Sequence, residues 1–114
     1  MIEPNSELII DYELVRNNVQ EIKKKLPKNC NFMGVIKSDA YGHDLKIATS
    51  AIEDVVDGFG VVRLDEALAI REKSSKPILA MQGVYSSDAY DLLMQNDIWS
   101  VIHSTSQLPL AKQY

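Results

Sequence analysis

Cysteine is nearly absent. Cys30 is the only one in 114 residues, which excludes an internal disulfide framework and a zinc site built on several thiolates, and fits a reducing compartment. Positive charge is also in short supply, with 12 basic against 16 acidic residues and a net charge of −4. The one basic cluster, Lys23-Lys24-Lys25, falls at the end of a predicted helix, where cations complement the helix dipole. A nucleic-acid surface is therefore not expected. No segment approaches the roughly 20 consecutive apolar residues of a membrane helix, and Ile2-Glu3-Pro4-Asn5-Ser6-Glu7 has neither the basic start nor the apolar run of a secretion signal. The expectation is a cytoplasmic protein without membrane contact. Length sets a further limit, because a full (β/α)₈ barrel needs roughly 250 residues. With 46% hydrophobic residues, the chain suffices for one small α/β unit.

What is present is an alternation of strands and helices. Glu7–Ile10 reads as a short extended segment ended by Asp11, which suits the N-cap of a helix over Tyr12–Leu26 with Leu14, Val15, Val19, Ile22 and Leu26 on one face. Pro27 stops that helix. Asn31–Ile36, Gly58–Val62, Pro77–Met81 and Ile98–Ile102 are short apolar runs that read as buried strands. Between them lie helices predicted over 44–56, 65–73 and from Ser86-Ser87-Asp88 to Gln95. One more begins after the capping residues Ser104 to Ser106. This order specifies a parallel sheet with right-handed crossovers, without a linker or a solenoid repeat.

The chemistry concentrates in Val35-Ile36-Lys37-Ser38-Asp39-Ala40-Tyr41-Gly42-His43-Asp44. Lys37 stands at the C-terminal end of the first core strand, the rim at which parallel α/β folds place their active sites. A lysine at such a position is either a solvated rim residue or, when partly desolvated, an amine able to condense with an aldehyde. Tyr41 offers a phenol close by, and Gly42 allows a sharp turn into the next helix. The free amides and dipole at that helix start would favour a phosphate. An amine beside a phosphate site is what pyridoxal phosphate requires.

The run Lys37-Ser38-Asp39-Ala40-Tyr41-Gly42-His43 resembles the pyridoxal phosphate attachment motif of the alanine racemases, commonly Val-Lys-Ala-Asn/Asp-Ala-Tyr-Gly-His-Gly. Ser38 and Asp44 are the two departures, replacing Ala and Gly. The resemblance continues through Phe59–Ala67, Pro77–Val84 and Val101–Ser104. It implies the first half of a TIM-type (β/α)₈ barrel, with Lys37 as catalytic and cofactor-binding residue through an aldimine and Tyr41 as a contact to the cofactor phosphate. Two bases on opposite faces of the substrate carbanion carry out racemisation in that family. The resemblance makes Lys37 one of them, while no position here matches the second, a tyrosine of the partner's C-terminal β domain, or the arginine facing the pyridine nitrogen.

Residues 1–114 are thus expected to form the N-terminal part of such a barrel, truncated and without the C-terminal β domain. The parent would be a homodimer acting on a small amino acid, and this chain, with two open strand edges, would self-associate and be inactive alone. A racemase of another amino acid and a non-catalytic half-barrel that pairs with itself are the alternatives. His43 has no chemical role from its context, and neither it nor His103 has a partner at metal-ligand spacing, so no metal is expected. His103-Ser104 is not a hydrolase pair, because adjacent side chains at a strand end diverge. Gly83-Val84-Tyr85 lies past the third strand and either lines the site or simply packs.

Overall fold

A computed structural model describes residues 2–3 and 5–114. Helix α1 (Tyr12–Lys24) starts where the Asp11 carboxylate accepts from the Leu14 amide at 3.3 Å, and stops short of Pro27. Strand β1 (Met33–Val35) leads into α2 (Lys37–Gly42), a six-residue helical segment that is wound left-handed at its centre. Then follow α3 (Leu45–Ile52), β2 (Gly58–Val61), α4 (Leu64–Arg71), β3 (Ile78–Ala80), α5 (Ser87–Gln95) and β4 (Trp99–Ser100). A 3₁₀ turn over Thr105–Gln107 runs into the short α6 (Leu108–Ala111).

The four strands form one parallel sheet in the order β1-β2-β3-β4, so each βα unit adds a strand beside the last. Its two faces differ. On one, Phe59, Val61, Ile78 and Ala80 are 0–1% exposed beneath the helices, with Ile70, Ile52 and Val56 from the helical layer completing the core. On the other, the register aligns Val35 with Gly60, Gly60 with Leu79, and Leu79 with Trp99. Among the described residues this second ladder is covered only in part, with Gly60 buried and Leu79 half-buried. Trp99 is 53% and Val35 42% exposed. The outer dimensions, 55 × 46 × 22 Å, describe a slab one sheet and one helix layer thick. Its radius of gyration is 16.8 Å, against roughly 13 Å for a compact domain of this size. This is the open half of a TIM-type barrel, with the partly covered ladder facing where the barrel interior would be.

Away from the strand ends that carry Lys37, Arg71 ties the units together. Its guanidinium donates to the carbonyls of Ser74, Lys76, Asn96 and Asp97 at 2.8–3.0 Å, joining the end of α4 to the loops that open β3 and β4. Five donors in a planar fork suit this task in a way that an ammonium does not.

Several sequence expectations need adjusting. Glu7–Ile10 pairs with no strand, and Leu8 and Ile9 are 81% and 78% exposed, because extended propensity without a neighbouring strand has nothing to bond to. On α1, Val19 is buried while Leu14 and Ile22 point to solvent. The contact stripe there runs through Tyr12, Val15 and Val19, narrower than apolar spacing suggests. Helix α3 ends at Ile52, four residues before the predicted end at Val56, and α4 ends at Arg71 where Lys73 was expected.

Candidate active site

Lys37 follows β1 directly. The last ladder bond on that side is Ile36 N–H to Gly60 O at 2.9 Å, after which the backbone leaves the sheet. Alternation along β1 puts Met33 and Val35 on one face. A Cβ added at Gly60 would meet Met33 and Val35 at 3.4 Å, whereas one at Gly34 would meet Val56 and Ile52 of the helical layer. Lys37 opens α2 at the C-terminal rim of the sheet. Lys37 is half-buried and forms no ion pair with any carboxylate among the described residues. It lines a groove of about 460 Å³ together with Ser38, Asp39, Val62, Arg63 and Glu66.

The segment after Lys37 departs from what the sequence suggests. Instead of one sharp turn at Gly42 (φ 88°), four non-glycine residues, Ser38, Asp39, Ala40 and Tyr41, all sit near φ 55°, ψ 43°. Left-handed helical winding costs an L-residue about 1–2 kcal/mol, so this segment persists only because its surroundings determine it. Such strain concentrates at functional sites. The contacts are specific. The Ser38 amide donates to Glu66 Oε2 at 2.8 Å, the Leu45 amide to Asp39 Oδ1 at 2.8 Å, and the Tyr12 hydroxyl to the His43 carbonyl at 2.6 Å. The Ala40 side chain is 5% exposed, and the His43 ring bonds back to the Ala40 carbonyl at 2.9 Å.

One of these contacts bears on the expected phosphate site. At the start of α3, Asp39 occupies the Leu45 amide and Asp44 the Ile47 amide at 3.2 Å, so two of the first-turn amides are already taken. Two carboxylates already satisfy the dipole there and would repel a phosphate. Tyr41 is 60% exposed and lines a separate cavity of about 230 Å³ with Val15, Val19 and His43, not the Lys37 groove. The donor set thus fits the aldehyde end of pyridoxal phosphate through Lys37, and the structure does not bring Tyr41 into the same groove. Further phosphate contacts are not found in this segment.

Other candidates fall away from the site. The His103 ring bonds to the Met81 carbonyl at 2.8 Å and Ser104 Oγ to Ser106 Oγ at 3.0 Å, so the two do not form a nucleophile–base pair. Tyr85 is 65% exposed. No cluster of metal-ligating side chains occurs among the described residues, and no helix among them is long and apolar enough to cross a membrane. The residues that sequence reasoning missed are Tyr12, Asp39 and Glu66, all acting on the turn rather than on a ligand. A partial signal existed for Glu66, which lies three positions after the N-cap of α4 and accepts from the Arg63 amide at 3.0 Å. Arginine offers no acceptor in return, so only half of a capping box is made.

The family model described as "Alanine racemase, N-terminal domain" matches residues 10–114. An alanine racemase of Mannheimia succiniciproducens is 40% identical over 100 residues, covering 87% of this chain and 28% of that protein. One of Haemophilus influenzae is 38% identical over 105 residues, covering 91% and 29%. Among solved structures, the biosynthetic alanine racemase of Pseudomonas aeruginosa superposes with a TM-score of 0.83 at 29% identity, over 91% of this chain and 29% of that one. The alanine racemase of E. faecalis gives 0.84 at 31% identity, over 91% and 28%. The chain spans less than a third of the length of these relatives.

Proposed function

The chain belongs to the alanine racemase N-terminal domain family, and from that premise we propose that it contributes Lys37, the cofactor-bearing lysine, to the interconversion of L- and D-alanine. The relatives' names favour alanine over another amino acid as substrate. Their greater length supports an assembly in which further barrel strands and a β domain complete the site. The observation that carries the reading is Lys37 at the strand rim, lining a groove with Arg63 and Glu66, in no ion pair among the described residues and followed by a left-handed turn.

Bound pyridoxal phosphate supplies the electron sink that makes the substrate α-proton removable. Lys37 would hold it through Nζ and would serve as one of the bases that take or return the substrate proton. Tyr41 would offer its hydroxyl to the phosphate. The turn presents both groups from one short, overdetermined segment, so neither depends on a flexible loop. No residue here fills the role of second base. A placed acid or base is worth about 10²- to 10⁴-fold, so the chain alone is assigned no turnover above that of free cofactor. Cytoplasmic location and a homodimeric complete enzyme belong to the same proposal.

The test is borohydride reduction of the chain with pyridoxal phosphate, followed by peptide mapping. The label is expected on Lys37 and lost in Lys37→Ala; label on other lysines with Lys37 clean would overturn the assignment. Tyr41→Phe should weaken retention by about 1.5–3 kcal/mol, the worth of a hydrogen bond to a charged group. D-alanine formation well above free cofactor and the Lys37→Ala control would disprove the inactivity of the chain alone. Activity that appears only when a C-terminal portion is added in trans would identify half of a split racemase.

A second reading, a half-barrel that associates with itself, draws on the partly covered ladder from Val35 to Trp99. The two readings are compatible, since one concerns the rim and the other the sheet face.

A further inference from the structure

We propose that Glu66 is a positioning residue for Lys37, its single carboxylate taking the amides of Ser38 and Arg63 and so fixing the peptide plane that orients the amine. The inference rests on the reading of Lys37 as the cofactor-bearing lysine. Glu66 Oε2 accepts from Ser38 N–H at 2.8 Å and Oε1 from Arg63 N–H at 3.0 Å. The two oxygens thus act on different βα units, joining the turn after β1 to the start of α4.

Ser38 N–H belongs to the peptide unit between Lys37 and Ser38. Holding that amide holds ψ of Lys37, and with it the direction in which the Lys37 backbone enters the turn. The other side-chain contacts to the turn act downstream, Asp39 on Leu45 and Tyr12 on His43, and one backbone bond, Ala40 N–H to Ile36 O at 3.0 Å, spans Lys37 without holding the Ser38 amide. Upstream, the sheet's grip ends with Ile36 bonded to Gly60. Between those limits Glu66 is the side chain that bonds the backbone next to Lys37. Ser38 is also the first left-handed residue, at φ 54°, and a carboxylate at its amide supplies the acceptor that the ladder no longer provides. Charge matters as well as reach: a carboxylate accepts from two amides at once, whereas a carboxamide at the same place has one acceptor and sets its NH₂ against the second N–H.

The experiment compares the chain with Glu66→Gln and Glu66→Asp by amide exchange, by pyridoxal phosphate trapping, and by reductive methylation with formaldehyde, which needs no cofactor. In Glu66→Gln, exchange at Ser38 is expected to quicken about tenfold, the loss of one such bond. Lys37's share of the trapped label should fall about threefold or more, and its methylation rate relative to Lys46 should move by a similar factor, as expected for a misplaced amine. The Phe59 and Met81 amides, bonded to Pro77 and Val61 in the sheet, should keep their protection. Glu66→Asp, which keeps the charge but loses the reach, should behave like Glu66→Gln. Wild-type labelling and methylation of Lys37 in both variants would overturn the proposal, and so would loss of protection at Phe59 and Met81 along with Ser38, which would make Glu66 a residue of the fold. Absence of label on Lys37 in the unmutated chain would overturn the cofactor reading alone, leaving methylation and exchange to judge Glu66.

Discussion

The Tyr12 hydroxyl donates a 2.6 Å hydrogen bond to the carbonyl of His43, 31 positions later in the chain. It joins the first turn of α1 to the far end of the left-handed segment, so the helix that precedes the sheet helps to shape the rim. Tyr12→Phe keeps the ring packed on the core and deletes only this bond. The expected cost is about 1 kcal/mol in denaturant unfolding. The loss should be local, with the His43 amide, bonded to Ala40, exchanging faster while the strand amides hold. Unchanged exchange at His43 would show that the bond does not hold the turn.

The backbone cost of that turn can be tested at its exposed first residue. Ser38 sits at φ 54°, ψ 51° with its side chain in solvent, so Ser38→Gly removes strain without opening a cavity. Relief of the left-handed penalty outweighs the added freedom of the unfolded chain, and a gain of about 0.5–1 kcal/mol is expected. Ser38→Val, β-branched at the same φ, should lose about 1–2 kcal/mol. Equal stabilities for the two variants would mean that the turn is not left-handed in solution.

That winding was the least legible feature of the sequence. The helix starts could be read because Asp11, Asp44 and Ser86 cap them locally, and the strands because short apolar runs lie between turn residues. Lys37 could be placed at a rim from strand length alone. Nothing in Ser38, Ala40 or Tyr41 prefers φ > 0, and only Asp39 and Gly42 tolerate it readily, so the sequence suggested a single turn at glycine. The conformation is imposed from Glu66 and Tyr12, which are remote in sequence. The occupied amides at the start of α3 had a local cause that could have been weighed: Asp39 and Asp44 are themselves anions near the helix start.

Arg16 on α1 and Asp54 just past α3 form an exposed ion pair, and their hydrogen bond holds the Asp54 carboxyl below its ordinary 3.8. A lowered carboxylate pKa gives stability that is present above the unfolded value and lost as pH falls through the folded one. Asp54→Asn should therefore be less stable than the parent at pH 7, with the gap closing as pH drops past 3.8. Added salt should narrow the gap at neutral pH too, since Asp54 is solvent-exposed and Arg16 partly so. A gap independent of pH and salt would assign the effect to packing rather than charge.

Four strands in the order β1-β2-β3-β4 cannot close on themselves, because a barrel of this type needs about eight. The chain is left with two kinds of exposed surface, the edges of β1 and β4 and the ladder from Val35 to Trp99. The edges are only three and two residues long, which limits pairing between chains. The face is apolar and carries the indole of Trp99 at 53% exposure, with burial worth about 25 cal/mol per Å². Association through the face should therefore dominate, and the sedimentation coefficient of the chain should rise with concentration. Trp99→Lys puts a charge on that face while leaving both edges and the helical layer intact. It should shift the chain towards monomer without loss of helical circular dichroism. Association that survives Trp99→Lys would assign it to the strand edges, and a parent chain that stays monomeric with fully protected strand amides would show that the open face is stable in water.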